Sequence, residues 1–99
     1  MYLMQSDESG CYKIGVSKNP HKRRKQHQTG NAENISIIHV FESENPHLLE
    51  TTLKNYYSPF KKTGEWFSFS LEEEIGFLEL CKKYEETFKF LKENNTYFK

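Results

Sequence analysis

The chain has 99 residues, of which 35% are hydrophobic, 15% aromatic and 28% charged, and its formal net charge at pH 7 is zero. This length is enough for one hydrophobic core and too short for two, and the high aromatic content argues against a disordered chain. No apolar run approaches the ~20 residues of a membrane span, and the first residues do not resemble a signal peptide, so we expect an intracellular protein, cytoplasmic or nuclear.

Positive charge is concentrated in the first part of the sequence. Residues 1–62 hold nine Lys or Arg against six Asp or Glu, whereas residues 63–99 hold five against eight. No acidic residue occurs between Glu8 and Glu33, an interval that contains Lys13, Lys18, Lys22, Arg23, Arg24 and Lys25. A phosphate backbone responds to such a local positive field rather than to the net charge of the chain.

The first elements are predicted from short apolar segments and their boundaries. Short segments rich in aromatic and aliphatic residues, at 2–5 and 11–16, flank a polar turn and predict a β-hairpin, in which Gly10 can adopt a positive φ. An Asn-Pro pair at 19–20 predicts the start of a helix that runs to about residue 29 and stops at a glycine. The β-branched run at 35–41 predicts a third strand.

The second half of the chain is predicted to be mainly helical. A second Asn-Pro pair at 45–46 begins a helix that ends near residue 58, with apolar residues spaced i, i+4, i+7 and i+11 at Leu49, Leu53, Tyr56 and Phe60. Residues 65–69 are expected to form a short extended segment. Ser70 and Glu73 have the spacing of a capping box. An apolar stripe then predicts one long helix or a broken pair of helices. The stripe consists of Phe77, Cys81, Tyr84, Phe88 and Leu91.

These elements predict an α+β fold: a small three-stranded antiparallel sheet flanked by helices, with a C-terminal helix or helix pair. We expect a single domain over residues 1–99, with a core at 1–70 and a helical extension at 71–95 packed on it. The stripe at 77–91 fits core packing, and its period also leaves open pairing with another chain, either as a homodimer or with a partner protein. Cys11 and Cys81 are expected to be reduced and buried, and Trp66 to fill the core rather than to stack on a base.

The first predicted helix is unusual because residues 18–30 contain no aliphatic or aromatic side chain. Burial of an apolar stripe therefore cannot hold it in place. Either it is a solvated helix whose Lys and Arg stems lie on apolar surface, or its charged face contacts phosphates. We favour the second interpretation, because five cations without a neutralising acid repel one another. The candidate nucleic-acid-binding residues are Lys18, Lys22, Arg24 and Lys25.

Glu50 is the second candidate site residue. It lies beside Leu49 and Leu53, at the edge of the face that the second helix is predicted to bury, where a carboxylate is partly desolvated. It is also well past the first turn, so compensation of the helix dipole explains it poorly. Glu50 is therefore either an ordinary solvated surface charge or a metal ligand.

The order of these features resembles the GIY-YIG nuclease superfamily, in particular its phage- and virus-rich branch with a Lys-Ile-Gly second motif. The sequence reads Tyr-Leu-Met at 2–4, Tyr-Lys-Ile-Gly-Val-Ser at 12–17 and Asn-Pro-His-Lys-Arg-Arg-Lys-Gln-His at 19–27. The resemblance covers residues 1–70 and implies a metal-dependent endonuclease that hydrolyses DNA phosphodiester bonds with Mg²⁺ or Mn²⁺. The catalytic residues it implies are Tyr2, Lys13, Arg23, His27 and Glu50, with Glu50 as the metal ligand.

The residue types suit this chemistry. Hydrolysis of a phosphodiester needs a divalent ion to polarise the phosphate, a base for the water and a cation for the developing charge. Arg23 offers a bidentate fork to phosphate, and His27, four residues later, lies on the same helix face. Tyr2 is the candidate for activating the water.

The sequence also departs from the family pattern. Lys13 replaces the tyrosine of the second motif, the glycine of the first motif has no counterpart, and Arg24 occupies a position that is usually apolar. The alternative function is therefore a catalytically inactive nucleic-acid-binding module of the same fold. A third possibility, an interaction protein that recruits a partner through its C-terminal helix, leaves the basic helix unexplained.

Overall fold

A computed structural model describes residues 1–17, 25 and 34–94 of the chain. The described residues form an α+β fold, as predicted, with one four-stranded antiparallel sheet and two helices. The strands are β1 (Tyr2–Ser6), β2 (Tyr12–Gly15), β3 (Ile35–Val40) and β4 (Trp66–Phe67). The helices are α1 (Pro46–Tyr56) and α2 (Leu71–Asn94), with a short 3₁₀ turn at Ser58–Phe60. The helix predicted over 19–29 lies outside the described residues, except for Lys25, which is helical and exposed.

The predicted hairpin is formed by β1 and β2. Tyr2 lies opposite Gly15, and Gln5 opposite Tyr12. The turn is closed by the amide of Gly10, which donates to the Ser6 carbonyl at 2.8 Å. Gly10 has a φ of 72°, a left-handed conformation that favours glycine.

The strand order is β3-β1-β2-β4, so the third strand pairs with β1 and the outer position next to β2 is taken by β4. The predicted extended segment near residue 66 adds this fourth strand, because Trp66 pairs with Lys13 and Phe67 with Tyr12. Lys13 is the last residue of β2 that pairs with β4, although β2 continues to Gly15. The last residues of β2 therefore run past β4, and the candidate site lies at this end of the strand.

The core lies between the sheet and the two helices. Leu3 and Ile14 of the hairpin belong to the same buried cluster as Leu49 and Leu53 of α1 and Phe77, Cys81 and Phe88 of α2. Tyr2, Met4 and Ile35 form a separate buried cluster, with Ile37 and Trp66 partly buried against it. Alternate residues of β1 thus enter different clusters, as the two faces of a pleated strand require.

Helix α1 buries Leu49 and Leu53 as predicted, but Tyr56 and Phe60, the other two residues of the predicted stripe, are exposed. Tyr56 is 53% exposed, whereas Tyr57 is 2% exposed. The helix ends at Tyr56 and the chain tightens into the 3₁₀ turn, which directs Tyr57 inward, with its ring centroid 4.5 Å from that of Phe69.

Asn45 precedes helix α1 without a side-chain cap, and its Oδ1 accepts a hydrogen bond from Lys92 Nζ at 3.2 Å instead.

Helix α2 is one continuous helix of 24 residues. The predicted capping pair is present: the backbone amide and the hydroxyl of Ser70 both donate to Glu73 Oε1, each at 2.8 Å. Cys11 and Cys81 are both free and buried. Within the described part of the chain, neither helix combines the length and the apolar character needed to cross a bilayer.

A hydrogen bond from Tyr12 links the hairpin to α2. It makes the free energy of unfolding depend on pH in the alkaline range. The Tyr12 hydroxyl donates to Glu74 Oε1 at 2.9 Å, and burial together with this hydrogen bond raises the pKa of Tyr12 from 10.0 to about 12. Because the folded pKa lies above the unfolded pKa, the neutral phenol stabilises the fold fully below pH 10.0, and this contribution is lost as the pH rises towards about 12. Burial likewise raises the pKa of the Cys81 thiol to about 12.

We therefore expect Tyr12→Phe to lower the free energy of unfolding at pH 7 by about 1–2 kcal/mol, because a hydrogen bond to a charged acceptor is removed. The variant should then lose less stability than the wild type between pH 9 and 11. Urea denaturation at both ends of this range measures the difference. Tyr56→Phe, at an exposed ring, is the matched control. An unchanged alkaline slope in Tyr12→Phe would contradict the role of this phenol.

Candidate functional site

A small polar pocket of about 90 Å³ opens at the end of β2, beyond the last residue that pairs with β4. It is lined by Tyr2, Lys13, Ile14, Gly15, Val16, Glu50, Lys54 and Glu65. Of the five predicted catalytic residues, three lie here: Tyr2, Lys13 and Glu50. The hairpin supplies the first two, and α1 supplies the third.

The phenol ring of Tyr2 packs directly on Gly15. The two residues lie opposite each other on adjacent antiparallel strands, and Tyr2 is 2% exposed. A Cβ atom added at Gly15 would overlap the hydroxyl and the ring carbons of Tyr2. Gly15 is therefore needed here for space, since only a residue without a side chain lets the ring lie across the strand.

Glu50 occupies the edge position that the sequence predicted. Its neighbours Leu49 and Leu53 are completely buried, whereas the Glu50 side chain keeps 24% of its surface exposed. Lys54, one helical turn later, places its Nζ 3.6 Å from Glu50 Oε2. The carboxylate therefore faces the pocket with a cation beside it.

Lys13, which the sequence resemblance matches to a tyrosine of the second motif, lines the same pocket. Its side chain is 17% exposed, and its Nζ lies 3.1 Å from Glu65 Oε2 and 5.9 Å from the centroid of the Trp66 ring. Trp66 itself is partly buried against the cluster that contains Tyr2, which agrees with the prediction of a core residue. Glu65 Oε1 is also 3.6 Å from Lys54 Nζ.

Four charged side chains therefore form an alternating chain: Lys13, Glu65, Lys54 and Glu50. The hydrogen bond and the charge of Lys13, followed by the charge of Lys54, lower the pKa of Glu65, which keeps this carboxylate ionised at neutral pH. Neither Lys54 nor Glu65 was predicted from the sequence as a site residue. The i, i+4 spacing between Glu50 and Lys54 could have indicated this ion pair, and with it Lys54 as a site residue.

The other predicted site residues lie outside the described part of the chain: Lys18, Lys22, Arg23, Arg24 and His27. Lys25 is described, and it is an exposed helical residue. The roles assigned to all of these residues therefore remain predictions.

The T5orf172 domain family matches residues 1–82. This chain belongs to the T5orf172 domain family. The domain is phage-associated and nuclease-like, and it is consistent with binding to nucleic acid. Comparisons with curated proteins and with solved structures gave no match. The match includes every residue of the pocket and extends into α2.

The pocket of this T5orf172 domain offers oxygen ligands of the kind that Mg²⁺ prefers. Among the described residues, no group of three or more His, Cys, Asp or Glu side chains could hold a metal ion. An ion in the pocket would therefore rely on Glu50, with Glu65 as a second carboxylate nearby, and on oxygen atoms from water or a phosphate. Mg²⁺ is commonly bound in this way, by one or two carboxylates with most of its water retained.

A larger groove of about 710 Å³ lies between the end of α1 and α2, but its chemistry is unsuited to phosphate. Its lining includes four glutamates and two lysines, and it shares no residue with the small pocket. The groove is lined by Tyr56, Tyr57, Phe60, Glu72, Glu73, Gly76, Glu79, Leu80, Lys82, Lys83 and Glu86. Because its glutamates outnumber its lysines, the groove disfavours a polyanion, and the small pocket is the candidate site of this nuclease-like domain.

Proposed function

We propose that this T5orf172 domain is a GIY-YIG-type endonuclease that hydrolyses DNA phosphodiester bonds with Mg²⁺ or Mn²⁺. The observation that carries the proposal is the convergence of Tyr2, Lys13 and Glu50 in one polar pocket. These residues come from three different elements, and the resemblance to the GIY-YIG superfamily implies a catalytic role for each of them. A nuclease-like family provides the chemical context.

In this proposal Glu50 holds the divalent ion. When bound, such an ion polarises the scissile phosphate and lowers the pKa of a coordinated water. Tyr2, held across Gly15, orients the attacking water and accepts its hydrogen bond. Lys13 contacts a phosphate oxygen and offsets negative charge that develops there. The resemblance adds roles for Arg23 and His27, and the guanidinium of Arg23 would bind the phosphate in a bidentate manner.

Glu50 also distinguishes an enzyme from a module that only binds nucleic acid. A carboxylate with 24% of its surface exposed, beside two lysines, costs desolvation energy. It would also repel the phosphate that those lysines attract. A binding module has no use for such a group, whereas a metal-dependent nuclease needs it.

The direct test is incubation of the full chain with supercoiled plasmid and with branched DNA, in Mg²⁺, in Mn²⁺ and in EDTA. We expect nicking or cleavage with either metal and none in EDTA. Gel electrophoresis of the products gives the readout. Tight binding without cleavage in both metals would contradict the enzyme and support the inactive binding module.

DNA affinity is expected to fall steeply with salt, because each neutralised phosphate releases condensed counterions. Simultaneous replacement of Lys22, Arg24 and Lys25 by Ala should reduce the slope of log K against log salt by about 2–3, since each phosphate that is no longer neutralised lowers it by about 0.9. Fluorescence anisotropy at several salt concentrations measures the slope.

The matched control for this triple variant replaces three exposed lysines of α2, at 82, 83 and 89. It removes the same charge from the opposite half of the sequence and should leave the slope unchanged. Equal slopes for the two triple variants would show that the basic segment does not bind phosphates.

A further inference from the structure

Lys54 lies between two carboxylates and is bound closely by neither. Its Nζ is 3.6 Å from Glu50 Oε2 and 3.6 Å from Glu65 Oε1. Both distances exceed the usual range of a charged hydrogen bond, and the Lys54 side chain is 30% exposed. The ammonium group is therefore shared between Glu50 and Glu65, and a small rotation of the side chain would commit it to either one.

Glu65 is suited to hold Lys54 by itself. It is already anchored by Lys13 at 3.1 Å, and both lysines lower the pKa of its carboxyl group. The residue precedes the short strand β4, whose pairing with β2 fixes it beside the pocket. Lysine carries a compact charge on a flexible stem, so it can move between neighbouring acceptors without movement of the backbone.

We propose that Lys54 is the resident counter-ion of Glu50 in the metal-free protein, and that Glu65 retains Lys54 when a divalent cation binds Glu50. This inference rests on the proposed function, because it takes Glu50 as the metal ligand. A divalent ion and an ammonium group repel each other at one carboxylate, so binding requires Lys54 to leave Glu50. Glu65 supplies the second acceptor that makes the exchange possible.

The exchange also explains how the pocket becomes attractive to phosphate. The two lysines and two glutamates that line it cancel one another in the metal-free protein. A divalent ion on Glu50 leaves the pocket with a net positive charge, while Glu65 keeps both lysines in place. The pocket then matches the charge of a phosphodiester only after the metal is bound.

The test measures Mn²⁺ affinity of the full chain by electron paramagnetic resonance, without DNA and without a cleavage assay. Lys54→Met, which keeps the length and removes the charge, is expected to bind Mn²⁺ about fivefold more tightly, since one partly screened like charge is removed. Glu65→Gln is expected to bind more weakly, because Lys54 is then left with Glu50 alone. In the Lys54→Met background, Glu65→Gln should have little further effect.

The control is Lys61→Met, an exposed lysine outside the pocket, which should leave Mn²⁺ affinity unchanged. Unchanged or weaker Mn²⁺ binding by Lys54→Met would overturn the inference. An equal loss from Glu65→Gln in both backgrounds would also overturn it, because Glu65 would then act as a ligand or as a simple charge. Failure of the proposed function looks different: the wild type and Glu50→Gln would both bind no Mn²⁺, which would remove the metal site and the inference with it.

Discussion

Glu50→Gln is expected to lower the rate of DNA cleavage by at least ~10²-fold while leaving DNA affinity unchanged or slightly higher. The substitution keeps the size of the side chain and removes the charge that would hold the metal. It also removes a negative charge from beside Lys13 and Lys54, which favours phosphate binding. Single-turnover cleavage in Mg²⁺ and anisotropy in EDTA measure the two quantities separately.

Glu42→Gln is the matched control, since Glu42 is an exposed glutamate in the same half of the chain and does not line the pocket. It should cleave like the wild type. Arg23→Ala provides the contrast, because removal of a guanidinium that binds phosphate should reduce both cleavage and binding. Cleavage by Glu50→Gln at the wild-type rate would show that Glu50 does not hold the metal and that the proposed active site is wrong.

Local patterns were enough to predict most of the secondary structure of the described residues. The hairpin followed from two apolar segments around Gly10, and α1 from the Asn-Pro pair and the spacing of Leu49 and Leu53. These signals are carried by neighbouring residues in the sequence, so they do not depend on the rest of the fold. The position of Glu50 at the edge of the buried face followed from the same helical spacing.

Contacts between distant segments could not be predicted in this way. The pairing of β4 with β2 brings Glu65 to Lys13, and nothing in either local sequence indicates that partner. Tyr57 takes the inward position expected of Tyr56 because the helix ends there, and helix ends are set by tertiary packing as much as by propensity. The ion pairs of the pocket therefore depend on a strand order that local sequence does not specify.

Gly15→Ala is expected to destabilise the fold by about 1–3 kcal/mol, the usual cost of forcing extra volume into a packed site. The new methyl group would overlap the Tyr2 ring, which is buried and cannot move outward freely. The Cβ added by Gly76→Ala, in the second turn of α2, meets nothing within 4 Å, so this variant should instead be stabilised by about 0.5–1 kcal/mol. Urea denaturation of the two variants should therefore give changes of opposite sign.

The same substitution tests whether Tyr2 must lie across Gly15 for catalysis. Under conditions in which Gly15→Ala remains folded, its cleavage rate should still fall, by about 10²-fold if the phenol is displaced by roughly 1 Å. In a Tyr2→Ala background the ring is absent, so adding the methyl group at Gly15 should cost little stability and no further activity. An equal loss of stability in both backgrounds would show that Gly15 is required for a reason other than its packing against Tyr2. Wild-type cleavage by folded Gly15→Ala would instead show that the position of the phenol does not matter, because the geometry of the pocket would have changed without affecting the reaction.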